Sequence, residues 1–271
     1  MTFWRMLNRE GRVGAVVLAA LLLMALLAPW IAPGDPLAIT GEPMLRPFAS
    51  AAHILGTDRL GRDVLGGLLH GTRTTLLVAC FSAAVALVVG SIVGTLAGYL
   101  GGLADTVLMR ITDAFQTVPA FLLALAAISV TGPSVPTLIF AISLGTWTQA
   151  ARVTRAEVLS LRERDFVAAA RALGMRPLEI AFREVLPNAF GPAASLAAIS
   201  VAAAILIEAA LSFLGFGDPN RVTWGSMIAE GRTVLRAAPY LSIVPGIALV
   251  VTVLGAHLLG RGLSRTERLQ P

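Results

Sequence analysis

The sequence predicts an all-α integral membrane protein with six transmembrane helices. Three observations carry this. Of 271 residues, 56% are hydrophobic and only 14% charged, against roughly 25% charged in soluble domains. Apolar runs long enough to cross a bilayer as helices, about 20 residues each, recur along the chain. All 21 cationic side chains are arginines, and they gather at the ends of those runs. That scatter suits membrane topology better than nucleic-acid binding, for which a basic face is expected.

The first span is expected over 13–32, after Arg5, Arg9 and Arg12. "LLAPWIAPG" offers no clean cleavage site and the apolar core is long, so an uncleaved span is favoured over a signal peptide. A second span over 74–104 carries Gly90, Gly94 and Gly98 at every fourth position, one small-residue face for a neighbouring helix. Residues 114–151 hold 38 uncharged positions, too many for one crossing. "TGPSVP" at 131–136 marks a turn between spans three and four. The fifth is expected over 189–216 and the sixth over 237–260. No internal repeat or low-complexity tract is visible. The chain therefore reads as an N-terminal addition, 1–73, on a five-helix core, 74–263, with a tail at 264–271.

Placing the N-terminus in the cytoplasm leaves seven arginines on the outer side (positions 46, 59, 62, 73, 221, 232 and 236). The other fourteen fall on the cytoplasmic side, seven of them within 152–190. The positive-inside rule thus puts both termini and that loop in the cytoplasm.

Few residues suggest chemistry. Cys80 stands alone in an apolar run, His53, His70 and His257 lack ligand spacing, and no catalytic triad pattern is present. A nucleotide phosphate loop of the G-x-x-x-x-G-K-[ST] type needs a lysine, and the chain has none. Glu208 is the one carboxylate within an apolar span. Counted from Phe190, it lies ~27 Å along the helix, near the far side of a ~30 Å core. There it can reach interfacial water, as an outer gate or a structural hydrogen-bonding group. Trp224 is expected in the aromatic belt. Gly56 and Gly61 permit turns beside Arg62, while Asp58 and Asp63 can cap short helices, Asp63 naturally before "VLGGLLHG".

The 152–190 loop is the exception to the greasy pattern. Phe166, Ala169, Ala170 and Leu173 recur at helical spacing. Gly174 follows as a helix stop, Pro177 can open a second helix, and Leu178, Ala181, Phe182 and Val185 form another apolar face before Leu186-Pro187. An interfacial helix pair on lipid headgroups is one reading. The small alanine face argues instead for close docking on a protein.

"AAARALG" with "LP" at 186–187 resembles the cytoplasmic signature loop of ABC importer permeases. That motif reads Glu-Ala-Ala, three residues, Gly, then a spaced Ile and Leu-Pro. Ala169, Ala170, Gly174, Ile180, Leu186 and Pro187 match it, with Arg171 inside the motif, whereas Ala168 and Glu184 depart from it. "HILGTDRLGRDVLGGLLHGTRTTL" (53–76), "EAALSFLGFG" (208–217), "TWGSMIAEGR" (223–232) and "APYLSIVPGIALVVTVLGAHLLGRGL" (238–263) resemble the second, C-type permease of the dipeptide, oligopeptide and nickel importers. The likeness runs in order over nearly the whole chain; the "LLGRGLSR" end departs from the acidic form common there.

The resemblance implies a type I importer permease fold with a cytoplasmic coupling helix, in a bacterial inner membrane. The implied partners are a homologous permease, two cytoplasmic ATPases that hold ATP and magnesium, an external binding protein and membrane lipid. No cofactor or metal is expected on this chain, nor any catalytic residue of its own. Peptides are the implied cargo, with nickel chelates or glutathione as alternatives. From a different class, an ion-coupled secondary carrier would need polar groups at the midplane and would leave the loop without a task.

Overall fold

The computed structural model describes residues 7–267, apart from the side chains of 190–194 and 264–267. Arg5 and residues 268–271 lie outside the described residues. Every regular element described is helical: α1 (Arg9–Ile31), α2 (Val64–Leu100), α3 (Gly102–Thr117), α4 (Ala120–Thr131), α5 (Val135–Leu161), α6 (Asp165–Ala172), α7 (Pro177–Glu179), a π-helical stretch (Ile180–Val185), α8 (Leu186–Asn188), α9 (Phe190–Phe213), α10 (Trp224–Arg232) and α11 (Tyr240–Glu267).

Capping fixes several starts. Asn8 accepts from the Gly11 amide, and Asp63 from the Gly66 amide at 2.6 Å, as expected of it. Satisfying such orphan donors favours a helix start. The Asp63 cap moves the start of α2 ten residues ahead of the charge-free run, because the cap acts whatever the hydropathy of the following turn. At 37 residues, α2 is ~55 Å long, so it protrudes from the bilayer. Ser134 and Thr137 form a capping box at the expected turn, where Gly132 has φ +82°.

The third expected span is corrected. The apolar run does not form one straight helix; α3 and α4 meet at 83°. Val118 stays extended (φ −100°, ψ 128°) because the following Pro119 disfavours a helical conformation before it. Four helices are long and apolar enough to cross alone: α1, α2, 195–213 of α9 and 240–263 of α11. The bent α3–α4 pair can form one more. The remaining expected crossing, α5, has the length but carries Gln149, Arg152 and Arg155; its packing places it in the bundle.

That packing follows from the glycine face. Gly90, Gly94 and Gly98 meet the backbone of Trp147, Ala151 and Arg155 on α5, leaving no room for a side chain. Ser143 Oγ also donates across to the Ser82 carbonyl at 3.1 Å. On the other flank, α1 crosses α11 through Gly11 on Gly262 and Gly14 on Gly255. Small residues let backbones approach where lipid gives no hydrophobic drive to associate. A core of Val78, Ala79, Ile128, Leu138, Ile142, Ile205 and Leu211 fills the middle.

The bundle has two distinct ends. One gathers the 162–189 loop with the start of α1 and the ends of α2 and α11. The other gathers 32–63 with α10, where Tyr240 donates to the carbonyls of Leu45 (2.6 Å) and Thr57 (2.9 Å).

Candidate functional site

At the loop end, α6 closes in a Schellman motif. The Met175 amide donates to the Ala170 carbonyl (3.2 Å) and the Gly174 amide to that of Arg171 (3.0 Å), with Gly174 at φ +79°. The helix, glycine turn and second helix expected from the sequence are all present. Pro177 then opens α7. The following turns widen to π geometry, which no sequence signal announced. Pro187 has no amide to donate, and its ring would crowd the carbonyl four residues back in a regular helix. A wider turn just before it accommodates this.

Each loop residue now has a side. Val167, Ala170, Ile180, Ala181 and Val185 face the bundle, packed with Val158 and Ala189 and near Tyr99 and Met175. Ala170, expected on the docking face, thus holds the loop to its own chain, together with the motif residue Ile180 and with Ala181 and Val185 of the second apolar face. Phe166, Ala168, Ala169, Arg171, Leu173, Leu178 and Pro187 are exposed, and Leu186 is half-buried. Leu173 is 83% exposed, at the tip of the loop beside Gly174. Arg162 donates to the Gly98 carbonyl at 3.0 Å and Arg171 stacks 5.9 Å above the Tyr99 ring, tying the loop to the tip of α2.

At the opposite end a cavity of about 230 Å³ opens between 36–67 and 212–231. Asp58, Arg59, Arg62, Asp218, Arg221 and Glu230 bring both charge signs to its wall. Asp58 accepts from the Leu60 and Arg62 amides at 2.8 Å each. Arg62 reaches Glu230 at 3.7 Å, and Arg59 donates to Thr233 at 2.8 Å. Burial and then the Asp58 carboxylate push the Glu230 carboxyl up, against the pull of Arg62 and Arg59. Gly56 (φ +78°) and Gly61 (φ +85°) make the expected turns pressed against the Leu45 and Gly41 carbonyls.

Two expectations fail here. Trp224 is fully buried rather than in an aromatic belt: its indole nitrogen donates to the Leu68 carbonyl at 3.2 Å. The 217–236 segment folds back into the bundle, so its tryptophan is consumed as core. Glu208 is likewise fully buried and out of reach of interfacial water. Its Oε1 accepts from Ser212 at 2.6 Å. Buried Thr75 and Thr223 lie beside the carboxyl, yet Oε2 has no hydrogen-bond partner. The expectation overlooked α10, which packs over this part of α9 and buries the carboxyl. Glu208 therefore joins α9, α2 and α10 just behind the cavity wall formed by Ser212 and Thr223.

Glu208→Gln should keep an acceptor for Ser212 and retain most of the fold's stability. Glu208→Ala should lose about 2–4 kcal/mol through the void and the orphaned hydroxyl. Thermal unfolding of the purified chain and uptake of both variants check this; equal loss of uptake with assembly intact would mean that the ionised carboxylate itself is required.

Residues 90–268 match the family described as binding-protein-dependent transport system inner membrane component, and residues 3–49 match the N-terminal TM domain of oligopeptide transport permease C. The chain is 36% identical over 269 residues to the di/tripeptide transport system permease protein DppC of Pseudomonas aeruginosa, covering 96% of this chain and 89% of that one. It is 35% identical over 264 residues to the glutathione transport system permease protein GsiD of Pectobacterium atrosepticum, covering 96% and 88%. Among solved structures, an inward-facing MetNI methionine ABC transporter chain superimposes with a TM-score of 0.61 at 19% identity, over 76% of this chain and 97% of that chain; this supports the fold. A family match over most of the bundle, and relatives aligned almost end to end, show that the chain belongs to the binding-protein-dependent inner membrane components and is a multi-pass, C-type permease subunit of an ABC importer.

Proposed function

We propose that this permease forms half of a path that carries short peptides into the cytoplasm, driven by ATP hydrolysed on two separate ATPase subunits. The observation that carries the coupling is the loop at 152–190. It displays Phe166, Leu173 and Leu178 outward on a scaffold anchored by Val167, Ala170 and Ile180, a rigid apolar knob for another protein to grip. A homologous permease supplies the other half of the path, lipid surrounds the pair, and an external binding protein delivers cargo at the cavity end, around Gly56, Asp58, Gly61, Arg62 and Asp63. ATP and magnesium belong to the ATPases. Residues 1–73 are an addition to the transporting core, 74–263.

Peptides are preferred as cargo because di- and tripeptide permeases stand among the relatives; a glutathione permease among them supports the neighbouring reading, since glutathione is itself a modified tripeptide. The loop end, with the termini, faces the cytoplasm, as the arginine balance requires.

Orientation and partnership are tested together. In a Cys80→Ser background, exposed Ser160 and Asn220 are changed singly to cysteine and intact cells are treated with an impermeant thiol reagent. Position 220 should label and position 160 should not; the reverse overturns the orientation. The tagged wild-type chain should co-purify with an ATPase pair, and a chain that transports alone would support an ion-coupled carrier.

A further inference from the structure

The bend between α3 and α4 interrupts a crossing at mid-depth. Gly145, against which Ala120 is pressed, is ten residues into α5 from Val135, or ~15 Å at 1.5 Å per residue, about half of a ~30 Å hydrocarbon core. At the bend Pro119 has no amide, Val118 is extended, and residues 116–119 are all exposed. Irregular backbone at membrane depth is tolerated only where protein buries it or water fills the space before it. Among the described residues nothing buries it.

The side chains around the bend are polar in a consistent way. Asp113, Gln116 and Thr117 fall on one face of α3, and Gln149 and Arg152 lie one turn apart on α5. Arg152 pairs with Asp113 at 2.6 Å and Gln116 donates to Thr148 at 3.3 Å, so the two helices present a single strip. Gln116, Thr117, Gln149 and Arg152 are exposed, and Asp113 is half-exposed. Phe81 and Phe140, exposed elsewhere on the outward surface of the bundle, are by contrast apolar. Counted the same way, Gln149 and Arg152 lie ~21 and ~26 Å along α5 from Val135, in the half of the core towards the loop end. Amides and an ion pair exposed there are costly against hydrocarbon, and ionisable groups within the membrane usually mark a pathway.

We propose that this strip is the stretch of the chain's translocation wall that touches cargo, and that it recognises a zwitterionic, amide-bearing molecule, namely a short peptide. The inference rests on the reading of the chain as a permease of a peptide importer. Arg152 can turn from Asp113 to a terminal carboxylate while Asp113 meets the terminal ammonium, so cargo replaces one ion pair with two. The Gln116 and Gln149 amides match the donors and acceptors of a peptide bond.

The test uses the assembled transporter in proteoliposomes, with Cys80→Ser and single Thr117→Cys or Gln149→Cys, a charged methanethiosulfonate reagent, and dialanine as the probe. Both positions should react, and saturating dialanine with binding protein and ATP should abolish the reaction. Phe81→Cys should remain unreactive. No reaction at 117 and 149 would place the strip against lipid or the partner permease and overturn the proposal. Reaction indifferent to dialanine would overturn the cargo contact. Asp113→Asn with Arg152→Gln should raise the KM for dialanine about tenfold, the loss of one charge-assisted contact, with a much smaller change in kcat. An unchanged KM would also overturn it. Failure of the permease reading itself would show earlier, as a chain that recruits no ATPase.

Discussion

Leu173→Glu is expected to abolish uptake while leaving the chain folded and paired with its partner permease. Leu173 is 83% exposed and contributes nothing to the packing of its own chain, so the substitution costs this fold little. On the coupling role proposed for the loop, the same side chain enters an ATPase groove in the complex. Losing that burial forfeits about 1.5–3 kcal/mol, and an unpaired carboxylate there adds several more. Retention of the ATPases should therefore fall at least a hundredfold or so. Gly174→Val should uncouple by a different route. No atom lies within 4 Å of an added Cβ, so the whole effect is backbone strain at φ +79°, about 1–3 kcal/mol and enough to swing Leu173 out of register. Ala170→Glu is not a docking test, because Ala170 is buried against the bundle and its replacement would tear the loop from α2 and α5. Pull-down of the ATPases and uptake by reconstituted vesicles decide the matter. Full retention and full uptake in both Leu173→Glu and Gly174→Val would leave the loop a passenger on the membrane surface.

The second large effect is structural. Gly94→Leu should yield little folded protein. A Cβ at Gly94 runs into the Ala151 carbonyl and lies 2.9 Å from both the Arg155 nitrogen and Thr154 Cβ. Those are helix backbone and a β-branched side chain, neither of which can step aside. Overpacking typically costs about 1–3 kcal/mol, and a whole leucine between two backbones exceeds that. Gly246→Leu is the control: nothing lies within 4 Å of its added Cβ and its φ is not positive. Gel filtration and thermal midpoints in detergent should show Gly246→Leu close to the parent and Gly94→Leu aggregated or much less stable. Similar midpoints for the two would mean that α2 and α5 are not held by this contact.

What the sequence disclosed, and what it hid, divides along physical lines. Local chemistry was legible: the Asp63 cap, the Ser134 turn and the Gly174 stop each depend on residues within one helical turn. The small-residue face of α2 was legible too, because a period of four needs no partner to be seen. What escaped depends on contacts distant in sequence. Trp224 looked like an interfacial residue until α10 folded back onto Leu68, over 150 positions away. Glu208 was given water that the packing of α10 excludes. The Val118–Pro119 break was missed because hydropathy averages straight through a proline.

The length of α2 has a mechanical consequence. Val64 and Gly67 line the outer cavity, while Tyr99 and the Gly98 carbonyl are gripped by the loop. Between them runs one helix without proline, stiffened along its inner half by α5. Such an element behaves as a connecting rod with no joint between its bearings. A tilt forced on it at one bearing arrives at the other undiminished and without delay beyond elastic transit. On the coupling role proposed above, an ATPase stroke would then need no relay of side-chain rearrangements to reshape the mouth, because the two ends share this one helix.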